Sequence, residues 1–225
     1  MKYAQLSKDA KERARQWWKD LEAQEWGQMR APDLYEDMAE CLKFLGITVS
    51  QTTRPGGRYL DPKDPRGRAI TEWDFEWSGF WSQGDGLVFK GEWNAKDVSL
   101  SGLKGYAPQD KVLERICVMA MALMLRWPEA TADITTVSYG PGLPAMHTED
   151  EFTGLDMAGM NDDPQLPGED IATLRQIIAD AAHWCYKQLE DNYESDTGDE
   201  AAEEGIEAND YDFDKDGGIR VRRRA

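Results

Sequence analysis

The longest uninterrupted apolar run in the chain, ten residues from Ile116 to Leu125, constrains what the chain can fold into. It is shorter than the roughly 18 residues that a membrane-spanning helix needs. Pro108 precedes the run and Pro128 follows it. Because proline is tolerated in the first turn of a helix and disrupts its interior, the two prolines bracket one helix. The segment 108–127 is therefore predicted to form a long, buried helix.

Three further segments carry apolar residues at helical spacing: 6–26, 33–45 and 171–193. Ser7 is placed to cap the first of them, and Gly46 to end the second. Thr197, followed three residues later by Glu200, matches a capping box. This pair predicts a short additional helix that ends at about Asn209.

Strand patterns lie between the helical segments. Residues 70–77 alternate between apolar and acidic side chains, as in a half-buried strand, and 87–93 forms the expected returning strand of a hairpin. Further strands are expected at 47–52, 131–139 and 146–152. The order of elements predicts an α+β fold, with one antiparallel sheet of about five to six strands packed with four to five helices. A single domain over residues 1–225 is expected.

Negative charge is concentrated in the last third of the chain. The net charge is −17 at pH 7, and residues 149–216 contain 22 acidic and three basic residues. Acidic helices are expected over 171–209, followed by a short Arg-rich tail at 219–225. Such a field repels nucleic acid and anionic membranes and attracts basic protein surfaces. The alternative is that the acidity only keeps the protein soluble.

The residue types favour binding over catalysis. The two histidines, His147 and His183, lack an evident catalytic partner, and His183 is expected to pack within its helix. The three cysteines are far apart and form no Cys-x-x-Cys pair, which argues against a zinc site or a disulfide framework and favours a reducing cytosol. No secretory signal is recognised at the start of the sequence. The chain is predicted not to be an enzyme and to use no cofactor or metal.

One short motif resembles the first half of a calcium loop. Asp212, Asp214 and Asp216 have the required spacing and precede Gly217. The twelfth position, which needs a bidentate glutamate, is Arg223, so a strand–turn–strand is the expected structure and weak calcium binding stays open.

The most distinctive segment is the Gly-rich tip at 78–86. Phe80 and Trp81 are too apolar for an ordinary exposed tip, so they either bury internally or dock on a partner. Gln83 and Asp85 can contact a ligand or satisfy the amides of the turn. A rigid tip tucked against the core is the alternative to a contact surface.

This segment also carries a family resemblance. The string SGFWSQGDG at 78–86 is accompanied, in order, by LSKDAKERA at 6–14, YAPQD at 106–110 and WCYKQLE at 184–190. On these motifs the chain resembles, over nearly its whole length, a family of phage-encoded proteins labelled antitoxin-like, or antitoxin of a toxin–antitoxin stability system. The resemblance implies an interaction protein and transfers no catalytic residue.

The sequence thus favours an acidic, phage-encoded interaction protein in the host-cell cytoplasm. Its expected partner is a basic host or phage protein, such as a toxin, a nuclease or a defence effector. Mimicry of DNA is one way in which the acidic helices could bind such a protein. Direct binding to nucleic acid or to a membrane is not expected. The predicted contact residues are Phe80, Trp81, Gln83, Asp85, Glu200, Glu203, Glu204 and Glu207. Two alternatives stay open: a ligand-binding protein or enzyme centred on 78–86, with Asp85 and His147, and a structural or virion-assembly component.

Overall fold

A computed structural model describes residues 1–54, 70–80, 85–134, 155–156 and 166–219. Contact density divides the chain into two compact units. The terminal unit consists of Met1–Ala31 and Gln188–Ala225, and the central unit consists of Pro32–Lys187. The expectation of a single domain over residues 1–225 stays a prediction.

The terminal unit is built on helix α1 (Lys8–Met29), which follows a short 3-10 turn at Tyr3–Gln5. The Ser7 side chain accepts a hydrogen bond from the Ala10 amide at 3.3 Å, and this cap fixes the start of α1, as the sequence predicts. The unit also holds the part of helix α5 (Gly168–Asp196) that follows Lys187, and helix α6 (Asp199–Ala208). Its core contains the buried side chains of Tyr3, Leu6, Ala10, Ala14, Ile206 and Phe213.

Helix α6 packs closely on α1. A Cβ atom at Gly205 would lie 2.5 Å from the Trp18 ring, so only glycine permits this approach. The predicted capping box is wrong, because the N-cap is Gly198 and it makes no side-chain cap. The Thr197 hydroxyl instead donates to the Tyr193 carbonyl at 2.7 Å and thereby belongs to the end of α5. The helix ends at Ala208, close to the predicted end at Asn209.

The central unit confirms the α+β class but not the single sheet. Its described strands fall into one four-stranded sheet, in the order β1-β6-β7-β8, and two two-stranded sheets, β2-β3 and β4-β5. Every pairing among these strands is antiparallel. The strands are β1 (Leu45–Val49), β2 (Gln51–Arg54), β3 (Ile70–Trp73), β4 (Phe75–Trp77), β5 (Leu87–Phe89), β6 (Gly91–Val98), β7 (Thr131–Ile134) and β8 (Leu155–Asp156). The helices are α2 (Ala31–Lys43), α3 (Leu100–Tyr106), α4 (Lys111–Arg126) and the first part of α5.

Three strand pairs meet at a cyclic set of backbone hydrogen bonds. Ser50, Asp74 and Lys90 each separate two consecutive strands. The Ser50 amide donates to the Lys90 carbonyl at 2.8 Å, the Lys90 amide to the Asp74 carbonyl at 3.1 Å, and the Asp74 amide to the Ser50 carbonyl at 2.9 Å. The pairs β1–β6, β2–β3 and β4–β5 therefore diverge from this three-residue junction as three arms.

The junction explains why the predicted hairpin is only partly correct. The expected strand 70–77 is interrupted at Asp74, and only its second half, β4, pairs with β5. Its first half, β3, pairs with β2, from Gln51 opposite Trp73 to Arg54 opposite Ile70. The predicted strand 131–139 is described as far as Ile134, and the strand expected at 146–152 lies outside the described residues.

Helix α4 packs on β6 and β1, and it is buried on one face only. The buried side chains are Leu113, Ile116, Cys117, Ala120 and Leu123. Leu125 is 74% exposed, Val118 50% and Val112 47%, so the predicted buried helix is buried on this one face and exposed on the other. The helix begins after Asp110, whose carboxylate accepts from the Leu113 amide at 2.8 Å, and not at Pro108. Among the described residues, no helix is long and apolar enough to cross a membrane.

Candidate interaction surfaces

The described part of the 78–86 tip is packed inside the central unit. Phe80 is 8% exposed and stacks on Trp77, with ring centroids 4.9 Å apart. Phe80 also packs on Tyr186 of α5, with centroids 5.7 Å apart, and the Tyr186 hydroxyl donates to the Gly79 carbonyl at 3.2 Å. A partner would therefore meet little of Phe80. Trp81 and Gln83 lie outside the described residues.

Asp85 closes the base of the same tip. The Ser78 amide donates to the Gly86 carbonyl at 3.0 Å, and the Gly86 amide donates to the Ser78 hydroxyl at 3.1 Å. Asp85 is half-buried beside Gly79, where an added Cβ would lie 3.2 Å from the Asp85 carboxylate. These contacts give Ser78, Gly79 and Asp85 a structural role in the turn, which favours the tucked tip over a contact surface.

The carboxylates of α6 divide into two sets. Glu203 lies against α1, where Arg15 Nη1 is 2.6 Å and the Tyr3 hydroxyl 3.0 Å from Glu203 Oε1. Asp199, one turn earlier, pairs with Lys19. The Arg15 guanidinium and the Tyr3 hydroxyl hold the pKa of Glu203 below its ordinary value. Lys19 likewise lowers the pKa of Asp199. These two carboxylates hold α6 on α1.

The second set is solvent-facing. Glu200, Glu204 and Glu207 are all exposed, and their spacing of four and three residues places them along one side of α6. No described cation lies within ion-pair distance of any of the three. We call Glu200, Glu204 and Glu207 the acidic face. The sequence predicts all four glutamates as contacts, but the fold separates Glu203 from the others.

Basic residues near the start of the chain compensate part of the acidic C-terminal segment. Lys2 lies 3.0 Å from an Asp210 carboxylate oxygen and 3.1 Å from one of Asp212. Together with the pairs of Arg15 and Lys19, these contacts occupy Asp199, Glu203, Asp210 and Asp212. The acidity of the terminal unit is therefore partly internal, whereas the acidic face stays open to solvent. The Arg-rich tail at 220–225 lies outside the described residues.

The calcium-like motif forms a turn held by its own backbone. One Asp214 carboxylate oxygen accepts from the amides of Asp216 and Gly218, both at 2.9 Å. Gly217 has φ +89°, and a Cβ there would lie 2.2 Å from the Ala10 carbonyl oxygen, which explains the glycine. Within the described ranges, no group of three His, Cys, Asp or Glu side chains is arranged to hold a metal ion.

The three cysteines are buried, and one of the two histidines lies outside the described residues. All three cysteines are free and buried. Burial raises the pKa of Cys41 to about 12 and that of Cys117 to about 11, and it raises the pKa of Cys185 as well. Such thiols are poor nucleophiles because little thiolate is present at neutral pH. His183 is exposed on α5 rather than packed, and His147 lies outside the described residues.

A model of a protein family, described as Domain of unknown function (DUF8835), matches residues 31–199. The chain belongs to the DUF8835 family. No curated protein and no solved structure matches the chain. The DUF8835 match begins one residue before the central unit and includes all of it. It ends at Asp199, the first residue of α6, so the acidic face lies outside the part of the chain that defines the family.

One surface within the DUF8835 match is not among the residues predicted from the sequence: the exposed side of α4. A helix buried on one face needs apolar residues on only part of its circumference. The ten-residue apolar run from Ile116 to Leu125 places apolar residues all around the helix. The run therefore contains more apolar residues than one buried face needs. The additional residues, such as Val118 and Leu125, indicate the exposed apolar surface.

Proposed function

We propose that this protein binds a cationic protein partner through the acidic face of α6. The observation that supports the proposal is the division of the carboxylates on this helix. Asp199 and Glu203 are used internally by Lys19 and Arg15, whereas Glu200, Glu204 and Glu207 face solvent. Carboxylates aligned on one exposed side of a helix attract a basic surface and speed the encounter.

The chemistry of the partner follows from the same charges. The protein has a net charge of −17 and so repels DNA, RNA and anionic membranes. A DNA-binding groove of another protein is lined with Lys and Arg, and a row of carboxylates can occupy it in place of phosphates. The chain also resembles antitoxin-like phage proteins. Because of this resemblance, the proposed partner is a basic toxin, nuclease or defence effector of the host cell. The proposed role is binding rather than catalysis.

Salt-dependent affinity capture tests the proposal. The full chain is immobilised and exposed to extract of the host cell at low salt, and retained proteins are identified by mass spectrometry. We expect a basic protein that elutes as salt rises, because salt screens exposed charges. The variant Glu200→Gln/Glu204→Gln/Glu207→Gln is expected to lose most of this protein. DNA is expected to compete for the same partner.

A charge-matched variant provides the control. Glu25, Glu36 and Asp97 are exposed carboxylates for which no ion pair is found among the described residues. Glu25→Gln/Glu36→Gln/Asp97→Asn changes the net charge by the same amount as the α6 variant and should retain the partner. Equal loss in both variants would mean that only the overall charge matters. If the α6 variant retained the partner at every salt concentration, the proposal that the acidic face binds it would be refuted.

A further inference from the structure

Helix α4 presents an apolar ridge to solvent. Val118, Met121 and Leu125 are spaced by three and four residues, so their side chains are neighbours on one side of the helix. Val118 and Leu125 are 50% and 74% exposed, although α4 already buries a complete apolar face against the sheet. The ridge therefore adds nothing to the core of the central unit.

A groove runs beside this ridge. It has a volume of about 440 Å³ and is lined by Val98, Ser99, Leu100, Ser101, Lys104 and Met121. Met121 belongs to both the ridge and the groove, so the two form one continuous surface. A groove of this size accepts one or two large apolar side chains, as in the docking of an amphipathic helix.

The charge around the ridge is opposite to that of the whole protein. Residues 100–126 contain Lys104, Lys111, Arg115 and Arg126 but only two carboxylates, and Arg126 is paired with Asp170 at 2.7 Å. Lys104 and Lys111 share Glu114, at 2.8 and 2.9 Å. For Arg115, which is exposed, no carboxylate of the described residues lies within ion-pair distance. The ridge is thus apolar with a cationic margin, in a chain with a net charge of −17.

We propose that the α4 ridge and its groove bind an acidic amphipathic helix of a partner protein. Apolar side chains of the partner would enter the groove beside Met121 and cover Leu125, and its carboxylates would meet Arg115 and Lys104. A second copy of this chain fits less well. Two antiparallel α4 helices paired about Val118 would place Met121 of one copy opposite Arg115 of the other, so no carboxylate would meet this cation. This surface is independent of the acidic face and lies within the DUF8835 match.

Fluorescence anisotropy with a synthetic peptide tests the inference. The peptide is an amphipathic helix with leucines along one side and glutamates on both flanks. Because the protein as a whole repels an acidic peptide, saturable binding at moderate salt must come from a local surface. Leu125→Glu and Arg115→Glu are each expected to lower the affinity for the peptide at least about tenfold, equivalent to about 1.4 kcal/mol. A peptide with alanines in place of the leucines should not bind.

Met29→Glu is the matched control, because Met29 is 66% exposed and lies in the terminal unit. It should bind the peptide like the unmodified chain, and circular dichroism of all variants should be unchanged. Absence of saturable binding, or equal binding by all three variants, would overturn the inference. So would a dimer in sedimentation velocity that Leu125→Glu dissociates, because the ridge would then serve a second copy. Leu125→Glu should also leave capture by the acidic face intact, which separates this inference from the proposed function.

Discussion

Glu200 and Glu203 have the same chemistry and lie three residues apart, yet they have different roles. Glu203 accepts hydrogen bonds from Tyr3 and Arg15, residues that lie about 190 positions earlier in the sequence. Glu200 has no such neighbour among the described residues. The sequence identifies both as acidic helix residues, but only the packing of α6 on α1 decides which one is structural. For the same reason, the sequence could not reveal that Lys2, Arg15 and Lys19 offset part of the acidic segment.

The substitution Glu203→Gln should therefore destabilise the protein in a pH-dependent way. The folded-state pKa of Glu203 lies below its ordinary value of 4.5, so its ionised form stabilises the fold. This contribution is fully present above about pH 4.5 and is lost as the pH falls through the lowered pKa. Because the pair is partly exposed, we expect a loss of up to about 1 kcal/mol in the free energy of unfolding near neutral pH.

Chemical denaturation of Glu203→Gln and Glu200→Gln at several pH values measures this difference. Glu200→Gln is the matched control on the same helix and should stay within about 0.5 kcal/mol of the unmodified chain. The difference between the two variants should shrink below about pH 4.5. A difference that persists unchanged in acid would show that Glu203 acts through packing rather than through its charge.

At the scale of elements, the junction of Ser50, Asp74 and Lys90 depends on close approach of β1 and β6. Gly91 starts β6, and a Cβ there would lie 2.2 Å from the Thr48 carbonyl oxygen. We expect Gly91→Ala to push the strands apart and to cost about 1–3 kcal/mol of stability, as overpacking does. Thermal or chemical denaturation of the full chain measures this cost.

Gly105→Ala is the control for this substitution. Gly105 lies in α3, and a Cβ there would meet no atom within 4 Å. Because alanine favours a helix over glycine, Gly105→Ala should stabilise the protein by up to about 1 kcal/mol. If both alanine variants changed stability equally, the close contact at Thr48 would not explain the glycine at position 91.

The sequence predicts the helices better than the sheet, for a physical reason. Helices α1, α2 and α5 follow from local periodicity, and their ends lie within a few residues of the predicted positions. The strand pairs depend on contacts between distant segments, and no local pattern shows that Ser50 and Asp74 interrupt two strands. Helix α3 was missed because Gly102 and Gly105 lower its helical propensity.

The site was predictable only in part. The sequence identifies Glu200, Glu204 and Glu207 as acidic helix residues, but it cannot separate them from Glu203. Phe80 was correctly singled out as too apolar for an exposed tip, and its burial against Trp77 and Tyr186 follows from the course of α5. Such contacts depend on tertiary structure, so the sequence alone leaves open whether Phe80 is buried internally or docks on a partner.

At the scale of the whole molecule, net charge and local ion pairs respond to acid over different ranges. The chain has 43 acidic and 26 basic residues, and its isoelectric point is about 4.5. Mutual repulsion keeps copies apart at neutral pH and vanishes near the isoelectric point. The ion pairs that hold α6 on α1 persist to lower pH, because Lys19 and Arg15 hold the pKa values of Asp199 and Glu203 below their ordinary values.

Acidification should therefore cause association before it causes unfolding. As the pH falls to about 4.5, light scattering should rise while the circular dichroism spectrum stays native, because the charge is lost but the ion pairs remain. Only at lower pH, when Asp199 and Glu203 are protonated, should the helical signal fall, since the stability from these depressed pKa values is lost there. Measuring scattering and circular dichroism in one pH titration separates the two events. Loss of helical signal above pH 4.5, before any scattering, would show that a protonation other than that of Asp199 and Glu203 limits the stability of the fold in acid.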